Sequence, residues 1–207
     1  RPGMGLALAF IILYRAGEWA LTTMVSPFVV DAGMAAHYGW LSGWLALPAS
    51  IAGALWGGRR IARQGLSRWI WPFTLAQNLP NLLYLLLSLY LSPYLVAGGA
   101  PGSPAPLPHI LLTGSVMLLE QFCAGLGTAV LMTFLLRLCQ KEHKAAHYAI
   151  GSGLMSLSGL ISGMASGILA DASGYPSAFG LSFLVTLPAM LLIFWLKPLL
   201  VDPEPQP

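Results

Sequence analysis

The chain has 207 residues, of which 57% are hydrophobic and 8% charged, with a formal net charge of +3 and a mean hydropathy of +0.73. A soluble domain carries about 25% charged residues because its surface faces water, so ten Lys+Arg and seven Asp+Glu are too few to coat a globule, and lipid is the expected solvent. Nucleic-acid binding is excluded as the meaning of the basic pI: the cations stand in short runs between apolar stretches, a pattern of membrane topology.

A membrane span takes about 20 mostly apolar residues. Taken in order, stretches of that kind run at about 6–30, 38–57, 69–91, 110–138, 148–170 and 178–196. The predicted fold class is an all-α membrane protein of six transmembrane helices, with residues 1–207 as one six-helix unit. Between the third and fourth spans, Ser92 to Pro108 is rich in Pro and Gly, free of charge, and reads as a loop. The chain opens Arg-Pro-Gly, and its first apolar stretch is longer than a signal-peptide core, so it is taken as a mature span with upstream sequence missing.

Alternate loops carry very different charge. Arg1, then Arg59, Arg60, Arg63 and Arg68, then Arg137, Lys141 and Lys144, then Lys197 fall on one side, and the other side has no Lys or Arg. The positive-inside rule makes that side cytoplasmic, with both termini of the segment. Cys123 and Cys139 share one predicted helix at a separation of ~24 Å along the axis, beyond disulfide reach. His37 and His147 open the second and fifth spans at opposite faces, too far apart to share a metal, and suit interfacial anchoring beside Tyr38 and Tyr148. Pro48, Pro72 and Pro188 are expected to kink their helices.

An internal repeat is visible at an offset of 110 residues. AAHYG at 35–39 meets AAHYA at 145–149, Ser42 and Gly43 meet Ser152 and Gly153, Gly53 meets Gly163, and Gly57 meets Gly167. The offset carries the second span onto the fifth, and three spans lie between them, so the two cross in opposite senses. Two inverted three-helix units nested in a six-helix half are the arrangement of the major facilitator superfamily, whose site lies between two such halves.

Ionisable side chains inside a bilayer cost on the order of 2.5 to 3.5 kcal/mol each by insertion scales, and are usually kept for function. Arg15, Glu18 and Glu120 lie well inside spans. Arg15 and Glu18 are three apart and share a helix face, which suits either a local ion pair or a transport role. In the latter Arg15 would hold an anionic solute group and Glu18 the coupling proton. Glu120, beside Gln121, has no cation within helical reach on its own span, so its partner must come from elsewhere. Gln77, Asn78 and Asn81 form a polar patch next to Pro80, which interhelical hydrogen bonds or relief of the proline kink explain more cheaply than function does. Gly159, Gly163 and Gly167, with Gly53 and Gly57, allow close backbone packing, either within the bundle or against a missing half. Ser162 and Ser166 have no deep histidine to act as base, so nucleophilic catalysis is unsupported. No cofactor or metal is implied, and no enzyme activity is expected.

Several strings carry a family resemblance: YRAGEWA in the first span, SPFVVDAG after it, GALWGG with a loop ending QGLSR, LAQNLPN, LEQFCAGLGTA, and KAAHYAIGSGL leading to SGILAD. Together, over most of the chain, they resemble the second half of the AmpG-type muropeptide permeases. Glu18 stands where many members have Asp, Pro80 interrupts a polar run, and the loop from Gly57 to Arg68 lacks the acid of the superfamily's loop motif. The resemblance implies a major facilitator carrier of the bacterial inner membrane that imports muropeptide-like or other sizeable polar solutes with protons by alternating access. Its expected partners are an N-terminal six-helix half, the lipid bilayer, protons and a small-molecule solute. The alternatives are a facilitator for a different solute, such as an acetyl-CoA-like or sugar metabolite, and a six-span membrane protein without transport activity.

Overall fold

The computed structural model describes residues 4–95, 105–139 and 144–196, with only the backbone of Lys144. Arg1, Lys141, Lys197, the Lys144 side chain and the centre of the predicted loop at 96–104 lie outside the described residues. Within them the chain is helical, with no strand. In order come α1 (Met4–Tyr14), α2 (Ala16–Val29), α3 (Ala35–Trp40), α4 (Leu47–Gln64), α5 (Leu66–Leu91), α6 (Leu107–Leu138), α7 (Lys144–Ser173) and α8 (Tyr175–Trp195). Wide π-type turns at Val30–Met34 and Leu41–Ala46 join α2 to α3 and α3 to α4.

Four helical stretches among the described residues are long and apolar enough to cross a membrane: Met4–Gln64, Leu107–Leu138, Ala145–Ser173 and Tyr175–Trp195. The first, at 61 residues, exceeds the roughly 20 that one crossing takes, and Gly33 interrupts it at φ 78. A positive φ is strained for any residue with a Cβ and routine for glycine, so the break falls where the sequence supplies that residue. Gly65 and Gly174, at φ 84 and 81, separate α4 from α5 and α7 from α8 in the same way. The prolines fall within continuous helices or at their start. Helix α5 runs unbroken through Pro72 and Pro80, α8 runs through Pro188, and Pro48 occupies the first turn of α4, where its missing N–H costs no hydrogen bond. The predicted loop is also shorter than its Pro and Gly content suggested: Ser92–Tyr94 is a 3-10 turn, and α6 already begins at Leu107, with Pro108 in its opening turn.

Helices α4 and α5 pack on α6, α2 packs on α7 and α8, and α5 packs on α8. The apolar core has two parts. One gathers Phe10, Tyr14, Leu66, Ile70, Phe73, Val130, Leu131 and Phe134, with Phe10 and Phe134 meeting edge to face at 5.0 Å. The other gathers Leu21, Phe28, Met34, Leu41, Tyr84, Leu87 and Phe179. In α2, α5 and α6 the buried polar residues Glu18, Gln77, Asn78, Asn81 and Glu120 come between these two sets along the chain. A polar layer thus sits between two apolar ones.

Glycines set the closest approaches. A Cβ on Gly53 of α4 would run into the Phe122 carbonyl oxygen of α6, and one on Gly125 of α6 would run into the Ser50 carbonyl oxygen of α4. Gly57 lies over Leu126 and Ala129 of α6. On α7, a Cβ at Gly159 would stand 2.9 Å from the Trp19 ring and one at Gly163 2.9 Å from Thr23 Oγ1, while one at Gly167 would stand 3.8 Å from Met24 Cε. These faces turn toward α6 and α2, within the bundle, rather than outward.

Candidate functional site

Arg15 occupies the one-residue interruption between α1 and α2, at φ −99 and ψ −2. From there its side chain reaches both α2 and α6. The guanidinium pairs with Glu18 Oε1 one turn on, and Nη1 donates to Thr128 Oγ1 of α6 at 3.3 Å. It also lies over the Trp19 ring at 5.9 Å, and that ring rests in the notch left by Gly159. The small residue on α7 therefore helps to hold the cation at the start of α2.

Glu18 is buried, at 8% exposure, and its second oxygen is also engaged: Gln77 Nε2 of α5 donates to Oε2 at 2.7 Å. A buried carboxylate needs a counter-ion and hydrogen bonds to offset its lost hydration, and here it has both, from two helices. Gln77 reaches it because α6 has no side chain at Gly127, where a Cβ would coincide with the Gln77 amide oxygen. Two candidates placed separately by sequence, the Arg15–Glu18 pair and Gln77, thus form one network that links α2, α5 and α6. Asn81 is buried nearby at 1% exposure. Its Nδ2, the Asn78 Oδ1 and the Gln77 Oε1 are buried without a hydrogen-bond partner among the described residues.

Glu120 is placed differently. It is 3% exposed, and its hydrogen bond comes from Gln121 Nε2 next in the chain, at 3.0 Å. No cation pairs with it among the described residues. It lines a cavity of about 200 Å³ with Thr22, Tyr38, Ser42 and Gln121, closed on the apolar side by Val25, Ala46, Leu47 and Met117. The cavity thus offers one carboxylate, one carboxamide and three hydroxyls. Tyr38, Ser42, Thr22 and Thr128 were not among the residues singled out for the pathway. Tyr38 and Ser42 belong to the repeat and Thr128 lies two turns beyond Glu120 on α6, which are the signals the sequence held for them.

A second cavity, of about 350 Å³, lies between the N-terminal end of α1, the C-terminal end of α6 and the start of α7, lined by Leu8, Ile11, Leu135, Leu138, Cys139 and His147. It is mostly apolar. Both cysteines are buried free thiols, and no three of His, Cys, Asp and Glu gather into a metal site among the described residues. His37 accepts a hydrogen bond from Trp40 Nε1 at 3.1 Å.

No family model matches the chain. It is similar to the "Anhydromuropeptide permease" of Escherichia coli K12, 27% identical over 198 residues, covering 93% of this chain and 36% of the permease. This chain is a homologue of AmpG-type permeases. The "Putative transporter AmpG 1" of Rickettsia bellii is 24% identical over 196 residues, with 93% of this chain and 43% of that protein covered. An uncharacterized protein of Haemophilus influenzae is 28% identical over 193 residues, with the same two shares. The chain thus spans between 36% and 43% of the length of these three relatives. Several helices apolar enough to cross a bilayer, together with relatives named as permeases and transporters, make this a multi-pass membrane protein.

Proposed function

We propose that the chain is the C-terminal six-helix half of a major facilitator carrier of the bacterial inner membrane, built from two inverted three-helix units, and that the complete carrier imports muropeptide-like solutes with protons. The observation that carries this reading is Glu120: a buried acid with no counter-ion among the described residues, facing a cavity lined with hydroxyls and a carboxamide. An intramembrane acid of that kind points by default to a solute or proton path. The carboxamide and hydroxyls suit the amide and hydroxyl groups of a sugar-peptide.

The helix packing supports the inverted units. Let α1–α2, α3–α4 and α5 be one three-rod unit, and α6, α7 and α8 the other. Exchanging them rod for rod turns the α4·α6 contact into the α7·α2 contact and α5·α6 into α8·α2, and leaves α5·α8 unchanged. Every one of these pairs is in contact. The glycine match follows the same exchange, since Gly53 meets α6 and Gly163 meets α2. The loop charges support cytoplasmic termini for this segment.

In this reading the two acids divide the work. Glu18, held by Arg15 and Gln77, maintains the shape of the wall, and Glu120 takes up and releases the coupling proton. Alternating access then moves this bundle against the N-terminal half around the cavity between them. Proton-driven uptake of anhydromuropeptide into vesicles carrying the full-length protein tests the reading. Glu120→Gln is expected to abolish coupling to the proton gradient, and unchanged gradient-driven uptake overturns the assignment.

A further inference from the structure

The end of α4 and the start of α5, on either side of Gly65, hold a cluster of cations that neither the ion-pair network nor the cavity uses. Arg59, Arg60, Arg63 and Arg68 are all exposed. No Asp or Glu occurs anywhere in the sequence between Asp31 and Glu120, and none pairs with these four among the described residues. Four arginines within ten residues are therefore left without local compensation.

Their setting is ordered and aromatic. The Arg60 guanidinium lies 5.1 Å from the centroid of Trp56 on its own helix and 5.7 Å from that of Trp69 on the next. Trp69 is fixed in turn: its Nε1 donates to Gln64 Oε1 at 2.8 Å, and its ring stacks on Phe73 at 4.8 Å. Trp56 packs against the same Phe73 ring at 5.7 Å. Gly65, at φ 84, makes the turn that brings the two indoles together. A guanidinium over an indole face keeps its N–H edge free for a bidentate oxyanion. Tryptophans and arginines at the end of an apolar helix are the combination that works at headgroup depth.

We infer that Arg59, Arg60, Arg63 and Arg68, with Trp56 and Trp69, form a binding site for the phosphodiester headgroup of an anionic phospholipid. Arg60, pre-positioned by the two indoles, contacts the phosphate, and the other three supply the field that selects an anionic lipid over a zwitterionic one. A soluble phosphate offers the same oxygens, but it lacks the acyl chains that would lie along the exposed apolar residues Ile51 and Leu55 of α4. The site needs only that the chain reside in a bilayer, and it does not depend on the solute or on proton coupling.

The test uses the full-length protein in nanodiscs of mixed phosphatidylglycerol and phosphatidylethanolamine, extracted in mild detergent, with retained lipid measured by mass spectrometry. Phosphatidylglycerol is expected to be enriched over its bulk share. A basic side chain near an anionic surface is worth about a fivefold change in partition, so Arg60→Gln should lower the enrichment about fivefold, and Arg63→Gln by less. The pair Trp56→Leu with Trp69→Leu should also reduce it with no change in charge, and Arg60→Lys, which keeps the charge but loses the planar two-pronged donor edge, should fall between the native protein and Arg60→Gln. Retention unchanged in Arg60→Gln overturns the site. So does equal displacement by inorganic phosphate, which would make it a site for a soluble anion.

Discussion

Gly127 is the position at which a single methyl group should reveal how the polar layer is held. In Gly127→Ala the new Cβ would occupy the place of the Gln77 amide oxygen and overlap the carbons behind it. Gln77 is 4% exposed, so its side chain has little free room, and moving aside breaks its 2.7 Å bond to Glu18. A hydrogen bond to a charged group contributes about 1.5–3 kcal/mol, and overpacking adds about 1–3 kcal/mol. The expected loss is therefore about 2.5–6 kcal/mol, read as the shift of a denaturant midpoint for the purified protein in mild detergent. The decisive comparison is the same substitution in a Gln77→Ala background. There the methyl has space, and alanine replaces glycine inside a helix with a gain of about 0.5–1 kcal/mol. The cost of Gly127→Ala should then vanish or reverse. If the two substitutions add instead, Gln77 is not held in the Gly127 notch, and the reasoning fails.

Three further outcomes can be checked with the same unfolding measurement. Arg15→Met leaves Glu18 buried without its cation and should cost about 3–5 kcal/mol, whereas Arg15→Met combined with Glu18→Leu should recover most of that loss. Gly53→Ala places a methyl against the Phe122 backbone oxygen, which cannot rotate away, so it should destabilise by about 3 kcal/mol or more. Gly58→Ala, on the same helix with nothing within 4 Å of its Cβ, should instead stabilise by about 0.5–1 kcal/mol.

The membrane class was legible because it rests on bulk composition: too few charges to face water leave little choice. The Arg15–Glu18 pair was legible because three-residue spacing on a helix is local. What escaped depended on contacts between distant segments. Gln77 looked like a secondary polar residue until α5 was laid against α2, when its amide met the second oxygen of Glu18. The hydroxyls around Glu120 come from Thr22, Tyr38 and Ser42, roughly 80 to 100 positions earlier in the chain, and no helical period relates them. The helix breaks fall at glycines and not at prolines for a different reason. Proline removes a single donor, which a neighbouring turn can absorb, whereas the positive φ at Gly33 ends a helix outright.

Gly53 and Gly125 face each other across α4 and α6, each lying where a methyl on it would strike the main chain of the other helix. Side chains can repack around an insult, but main chain can yield only by moving the whole rod. The two positions are thus one mechanical joint made of two residues. Anyone re-engineering this bundle would have to keep both as glycine, or accept a wider gap between two of its principal walls.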